Sequence, residues 1–125
     1  MNFKHSKKEK LKSKKLIEQL FVEGKAVSNY PLRLIFMELP DEAEGCNKIA
    51  VSVSKKKFKL AVDRNRIKRL LREGVRLHKN DYFNNITTHY ALMILYIGSD
   101  KPTFLQVETS MHLLFEKFRK KVSNR

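Results

Sequence analysis

The sequence predicts a single α+β domain in which about four strands form a mixed sheet packed with three helices. Three observations lead there. A chain of 125 residues, 42% hydrophobic and 32% charged, is one domain long and can bury about two-thirds of its unfolded surface in a single core. Its apolar residues change period along the chain, from helical spacing to alternation to an unbroken run and back to helical spacing. The charge is also concentrated: Lys55 to Lys79 holds eleven basic residues against Asp63 and Glu73, a balance of +9 out of the chain's +14.

Met1 to Lys15 carries seven lysines and one acid, Glu9, and reads as a basic arm that adds affinity for a polyanion by counterion release without reading sequence. Residues 1–12 are taken as this arm, 13–122 as the domain and 123–125 as a basic tail. Ser13 is the expected N-cap of a short helix bearing Leu16, Ile17, Leu20 and Phe21, with Gly24 ending it. Tyr30 and Pro31 open the first strand located, Leu32 to Leu39, before Pro40 and the acidic loop of Asp41, Glu42 and Glu44. Which of its two residue sets, Leu32, Leu34 and Phe36 or Arg33, Ile35 and Met37, faces the core is left open.

From Lys48 to Ser54 the alternation is clear. Ile49, Val51 and Val53 make one face apolar, while Ala50, Ser52 and Ser54 make the other small and hydroxylated. That second face suits a shallow groove for a nucleic-acid strand or an ordinary solvent face equally well. Lys55 to Leu60 is a basic connection in which Phe58 is expected to plug the core beneath the loop. A helix follows, with Ile67, Leu70, Leu71, Val75 and marginally Leu77 on its apolar stripe. Arg66, Lys68, Arg69, Arg72 and Arg76 fill its other faces, and Asp63 is placed at or just outside its N-cap. Asp81 to His89 reads as a loop. Tyr90 to Ile97 is almost wholly apolar, the mark of a central strand covered on both sides. Gly98 to Pro102 turns the chain, and Thr103 with Gln106 forms a capping-box signature. Val107, Met111, Leu114, Phe115, Phe118 and Val122 then repeat at helical spacing up to a second basic cluster, Lys117, Arg119, Lys120, Lys121 and Arg125.

A helix face this one-signed, with few interleaved glutamates, repels itself unless a polyanion neutralises it. The segment Ala61 to Glu73, AVDRNRIKRLLRE, resembles the signature of the bacterial ribonuclease P protein family, an Arg-Asn-Arg triplet followed closely by Lys-Arg. Here those residues are Arg64, Asn65, Arg66, Lys68 and Arg69. The strand ending in Val51 to Lys56 and the order of elements are similar too, and the resemblance spans roughly Leu11 to Lys121.

The resemblance implies a fold like the second domain of ribosomal protein S5, with a left-handed βαβ crossover. It also implies an accessory subunit of an endoribonuclease whose catalyst is RNA. In that arrangement magnesium in the RNA-containing holoenzyme activates water, and the protein alone binds no cofactor. The partners would be ribonuclease P RNA and precursor tRNA, with no membrane and no protein partner required. Lys55, Lys56, Lys57, Lys59, Arg64, Asn65, Arg66, Lys68, Arg69 and Arg72 would bind RNA. Ile17, Phe21, Phe36 and Ser52 would line a cleft for the single-stranded 5′ leader. Ile17 stands where the family carries an aromatic residue, and Lys57 to Leu60 lacks the glycine common in the family's turn.

No catalytic or metal-binding residues are expected in the protein. His5, His78, His89 and His112 are scattered, no carboxylate pair stands out for acid/base work, and the four glycines lie too far apart to cradle a phosphate. Cys46 is the lone cysteine, which precludes an internal disulfide and fits a reducing cytosol. No apolar run approaches the roughly 20 residues of a membrane span, and the basic N-terminus lacks the apolar segment of a secretion signal. A cytoplasmic location is therefore expected. A general RNA-binding role, as in a ribosomal protein or RNA chaperone, explains the charge equally well. A DNA-binding helix is the weaker alternative, because a strand and loop stand where a helix–turn–helix needs a second helix. Membrane-surface binding is weaker still, since the apolar stripe is needed for the core.

Overall fold

The computed structural model describes residues 14–39, 48–83 and 89–123. The basic arm, the Ser13 cap, Cys46 with its acidic loop, and Arg125 lie outside the described residues. Three helices and four strands follow in the order α1 (Lys14–Glu23), β1 (Lys25–Asn29), β2 (Leu32–Glu38), β3 (Lys48–Val53), α2 (Ala61–Phe83), β4 (Tyr90–Tyr96) and α3 (Phe104–Ser123). The sheet runs β1-β2-β4-β3. β1 pairs with β2 and β2 with β4 antiparallel, while β3 and β4 are parallel and joined through α2. The sheet is therefore mixed, as expected.

β1 was not among the strands located in the sequence. Tyr30 and Pro31 form the turn between β1 and β2 instead of opening the first strand. With five residues, none of them fully buried, β1 offers no alternation strong enough to be seen. It sits at a sheet edge, where the Lys117 ammonium donates to the Ser28 carbonyl at 2.8 Å and Lys121 donates to the Ala26 carbonyl at 3.2 Å. Two cations of the closing basic cluster thus cover edge carbonyls that could otherwise recruit another strand.

Pairing register sorts the sheet residues onto two faces, because residues directly opposite on neighbouring strands point the same way. Leu32, Leu34 and Phe36 of β2, Ile49 and Val53 of β3, and Tyr90, Leu92, Ile94 and Tyr96 of β4 form one face. They pack with Ile67, Leu71 and Val75 of α2 and Val107, Met111, Leu114, Phe115 and Phe118 of α3. On the other face Ile35, Ala91 and Met93 meet Leu20 of α1, with Leu16 and Ile17 partly buried beside it. β4 is consequently covered on both sides, which its continuous apolar run required. Gly24 follows α1 where a Cβ would come within 2.3 Å of the Leu20 carbonyl oxygen and 2.8 Å of Ile35 Cγ2. Close approach, not an unusual φ, calls for glycine there.

Helix ends depart from the sequence reading in two places. α2 begins at Ala61, so Asp63 lies in its first turn rather than at the cap; there its carboxylate still meets the positive helix end and pairs with Lys101 at 3.1 Å. α2 also continues through Asp81, Tyr82 and Phe83, which were assigned to a loop. These residues are polar or aromatic, but no glycine or proline among them stops a helix. Leu77 falls off the apolar stripe and is exposed. The capping box at α3 forms reciprocally: Gln106 N–H donates to Thr103 Oγ1 at 3.2 Å and Thr103 N–H to Gln106 Oε1 at 2.9 Å.

Candidate nucleic-acid interface

Burial of Ile67, Leu71 and Val75 against α3 and the sheet fixes how α2 is rotated. Asn65, Arg69 and Arg72, at i, i+4 and i+7, then share the opposite ridge and are exposed together with Arg66, while Lys68 is half-buried on the flank,. The acids of this segment have their own cations. Asp63 pairs with Lys101, and Glu73 pairs with Arg76, whose Nε donates to Glu73 Oε2 at 3.0 Å. That hydrogen bond holds the exposed Glu73 carboxyl below its usual range. Among the described residues, Lys68, Arg69 and Arg72 make no ion pair with an acid. They form a cationic ridge presented to solvent.

Two arginines of the triplet have structural work as well. Arg64 lies nearer the apolar stripe, and its Nη1 donates to the carbonyls of Phe58 at 2.8 Å and Lys59 at 2.9 Å. Arg66 Nη1 reaches the Pro102 carbonyl at 3.3 Å. Lys57 donates to the Ile97 carbonyl at 2.5 Å, and Lys55, Lys56 and Lys59 are exposed around the same loop. Beneath it Phe58 is the plug its position implied, 5% exposed with its ring 5.9 Å from that of Tyr96. Arg64→Ala should therefore lower thermal stability, by roughly 1 kcal/mol, mainly for the hydrogen bond to the part-buried Phe58 carbonyl,, along with RNA affinity. Arg64→Lys should recover affinity better than stability, measured by melting and by titration with labelled RNA.

A groove lies on the sheet face that bears α1. Register places Ser28, Arg33, Leu95 and Ser52 in one row across all four strands, next to the row Ala26, Ile35, Met93 and Ala50 that α1 partly covers. Ser52 therefore faces the groove, Ile17 packs half-buried along its α1 border, and Phe21 is exposed one turn further along α1. Phe36 does not belong there. Its ring is on the opposite face, 3% exposed, in edge-to-face contact with Phe118 at 4.9 Å and Tyr90 at 6.1 Å. Strand alternation separates it from Ile35 and Met37, so it is a core residue.

Arg33 was missed as a site residue. It is exposed in the middle of the groove row, and the sequence carries no clear signal for it, because Ile35 and Met37 on its side of β2 are as apolar as Leu32, Leu34 and Phe36 on the other. Chain continuity carries the groove from Ser52 directly into Lys55 and Lys56. Phosphates of a strand lying on this face can thus be met by Arg33 and the lysine loop, with Ser28 and Ser52 leaving room for bases between them. Among the described residues no group of three or more His, Cys, Asp or Glu side chains converges to hold a metal ion. None of the described helices is long and apolar enough to cross a membrane.

Comparison with known proteins places the chain and its fold. The family profile described as Ribonuclease P matches residues 5–119. A Ribonuclease P protein component from Porphyromonas gingivalis is 37% identical over 109 residues, covering 85% of this chain and 80% of that protein. One from Chlorobium phaeobacteroides is 31% identical over 126 residues, covering 90% and 86%. In fold, the chain is similar to the RNase P protein of Staphylococcus aureus, with a TM-score of 0.69 at 22% identity over 88% of this chain and 94% of that one. The Thermotoga maritima RNase P protein gives a TM-score of 0.65 at 21% identity over 86% and 96%.

Proposed function

The chain belongs to the ribonuclease P protein family, and on that premise we propose that it is the protein subunit of a ribonucleoprotein that removes the 5′ leader from precursor tRNA. The observation that carries this reading is a pair of separate exposed surfaces: the ridge of Asn65, Arg69 and Arg72 on α2, which packs on one face of the sheet, and the partly exposed row of Ser28, Arg33, Leu95 and Ser52 beside α1 on the other. Two RNAs can be held by two such surfaces at once. The ridge, with Lys55, Lys56, Lys59, Arg66 and Lys68, neutralises phosphates of a large structured RNA partner. The groove of Ser28, Arg33, Leu95 and Ser52, bordered by Ile17 and Phe21, takes the unpaired leader.

In this reading the protein's contribution is binding and orientation. The magnesium ions that activate water belong, in this reading, to the RNA partner. By sharing one cationic body, the two RNAs approach each other with less mutual repulsion and a lower need for free divalent ions. The cytoplasm, where tRNA precursors are made, is the matching location. Ile17 in place of an aromatic residue removes one stacking platform, and Phe21 retains the other.

The test is cleavage of labelled precursor tRNA at near-physiological magnesium by a bacterial ribonuclease P RNA alone, by this protein alone, and by both together. Cleavage at the mature 5′ end in the mixture only is the expected result. Binding of both RNAs without rescue of cleavage by the cognate RNA would leave a general RNA-binding protein. Cleavage by the protein alone would overturn both readings.

A further inference from the structure

We propose that the pocket between the Tyr30–Pro31 turn, the loop 97–102 and the first turns of α3 receives an unpaired base of the bound RNA. This rests on the RNA-binding reading above and adds a contact distinct from the groove and from the α2 ridge. The pocket is an open depression of about 500 Å³, within the size range of small-ligand sites.

Its floor is built in advance. The Ile97 N–H donates to the Pro31 carbonyl at 2.8 Å, and the Tyr96 hydroxyl donates to the Asp100 carbonyl at 2.5 Å. Burial holds the Tyr96 phenol above its ordinary value, so that hydroxyl keeps its proton. Gly98 has no space for a side chain, since a Cβ there would lie 2.7 Å from Tyr96 Oη and 2.9 Å from Pro31 Cβ. Above this floor stand Tyr30, 71% exposed, and Leu105, 70% exposed. The fold leaves both large apolar side chains in water on the rim of one cavity. A flat aromatic ring would cover them, while Gln106 and Thr109 offer polar groups to its edge,.

The surroundings favour a nucleotide as occupant. The loop that walls the pocket is held by two residues of the basic segment, Lys57 at the Ile97 carbonyl and Arg66 at the Pro102 carbonyl. Arg66 at the start of α2 and Lys57 of the basic loop therefore lie next to the loop that walls the pocket, so RNA held by this segment passes close to it. Asp100 lines the pocket and Lys101 stands at its rim, paired with Asp63. A phosphate is repelled from the interior by the Asp100 carboxylate, whereas a neutral base can enter.

Tyr30→Ala and Tyr30→Trp in the full chain test this, with ribonuclease P RNA and precursor tRNA transcripts titrated separately. Tyr30→Ala is expected to weaken binding of one of the two by between about 5-fold and 100-fold, with unchanged melting temperature and an unchanged dependence on salt. Tyr30→Trp should restore it, and the RNA that responds identifies the source of the base. Wild-type affinity of Tyr30→Ala for both RNAs, alongside impaired binding by Arg69→Ala, would remove the pocket contact and leave the RNA-binding reading standing. Failure of the unaltered protein to bind either RNA would instead sink that reading. Equal loss of stability and affinity in Tyr30→Ala would make the residue structural and overturn the proposal.

Discussion

Replacing Arg69 and Arg72 together by alanine is expected to weaken RNA binding about 30-fold at physiological salt, taking roughly 1 kcal/mol for each phosphate contact. The slope of log affinity against log salt should become shallower by about 2, because about one counterion is released per neutralised phosphate. Stability should not follow. Both side chains are exposed on the ridge opposite the Ile67, Leu71 and Val75 stripe, and neither pairs with an acid among the described residues. Surface substitutions of this kind usually fall within about 0.5 kcal/mol of neutral. Titration at several salt concentrations beside a thermal melt checks both halves. A fall in melting temperature matching the loss of affinity would mean that the ridge serves the fold.

Arg64 and Arg66 would not give so clean a separation, and the reason marks the limit of what sequence can convey. The one-signed run and the Arg-Asn-Arg triplet were visible from residue types alone, and so was the helix that carries them. Which arginines face solvent and which fasten the loop depends on carbonyls that the fold brings near: Phe58 and Lys59 for Arg64, Pro102 for Arg66. The central strand β4 was legible because burial on both faces demands a continuous apolar run. β1 was not, because a short edge strand with its outer carbonyls covered by Lys117 and Lys121 needs no pattern of its own. The groove was half legible. Small residues on β3 marked Ser52, but the facing of β2 had to be settled by register, which moved Phe36 into the core and brought Arg33 out.

Phe58 gives the largest expected change in stability that also bears on RNA binding. Its side chain is buried in the cluster shared by the sheet, α2 and α3, and its ring leans on Tyr96. Phe58→Ala should cost about 3–5 kcal/mol, the range for emptying a buried phenylalanine site, a large share of the stability of an ordinary domain. Phe118→Ala offers the control. That ring is fully buried, with Phe36 at 4.9 Å and Tyr90 at 5.3 Å, and should cost a similar amount. Measured well below both melting temperatures, the two variants should part company. Phe118 lies far along α3 from the basic loop, so its loss leaves the folded molecules binding RNA as before. Phe58 supports the backbone whose carbonyls hold Arg64 and from which Lys55, Lys56, Lys57 and Lys59 project, so its loss lowers affinity even in folded protein. Phe58→Leu, which refills most of the volume, should recover both properties. Were Phe58 a stacking residue, Phe58→Ala would lose affinity at unchanged melting temperature. Equal affinities for the two alanine variants would separate the plug from the interface it is argued to hold up.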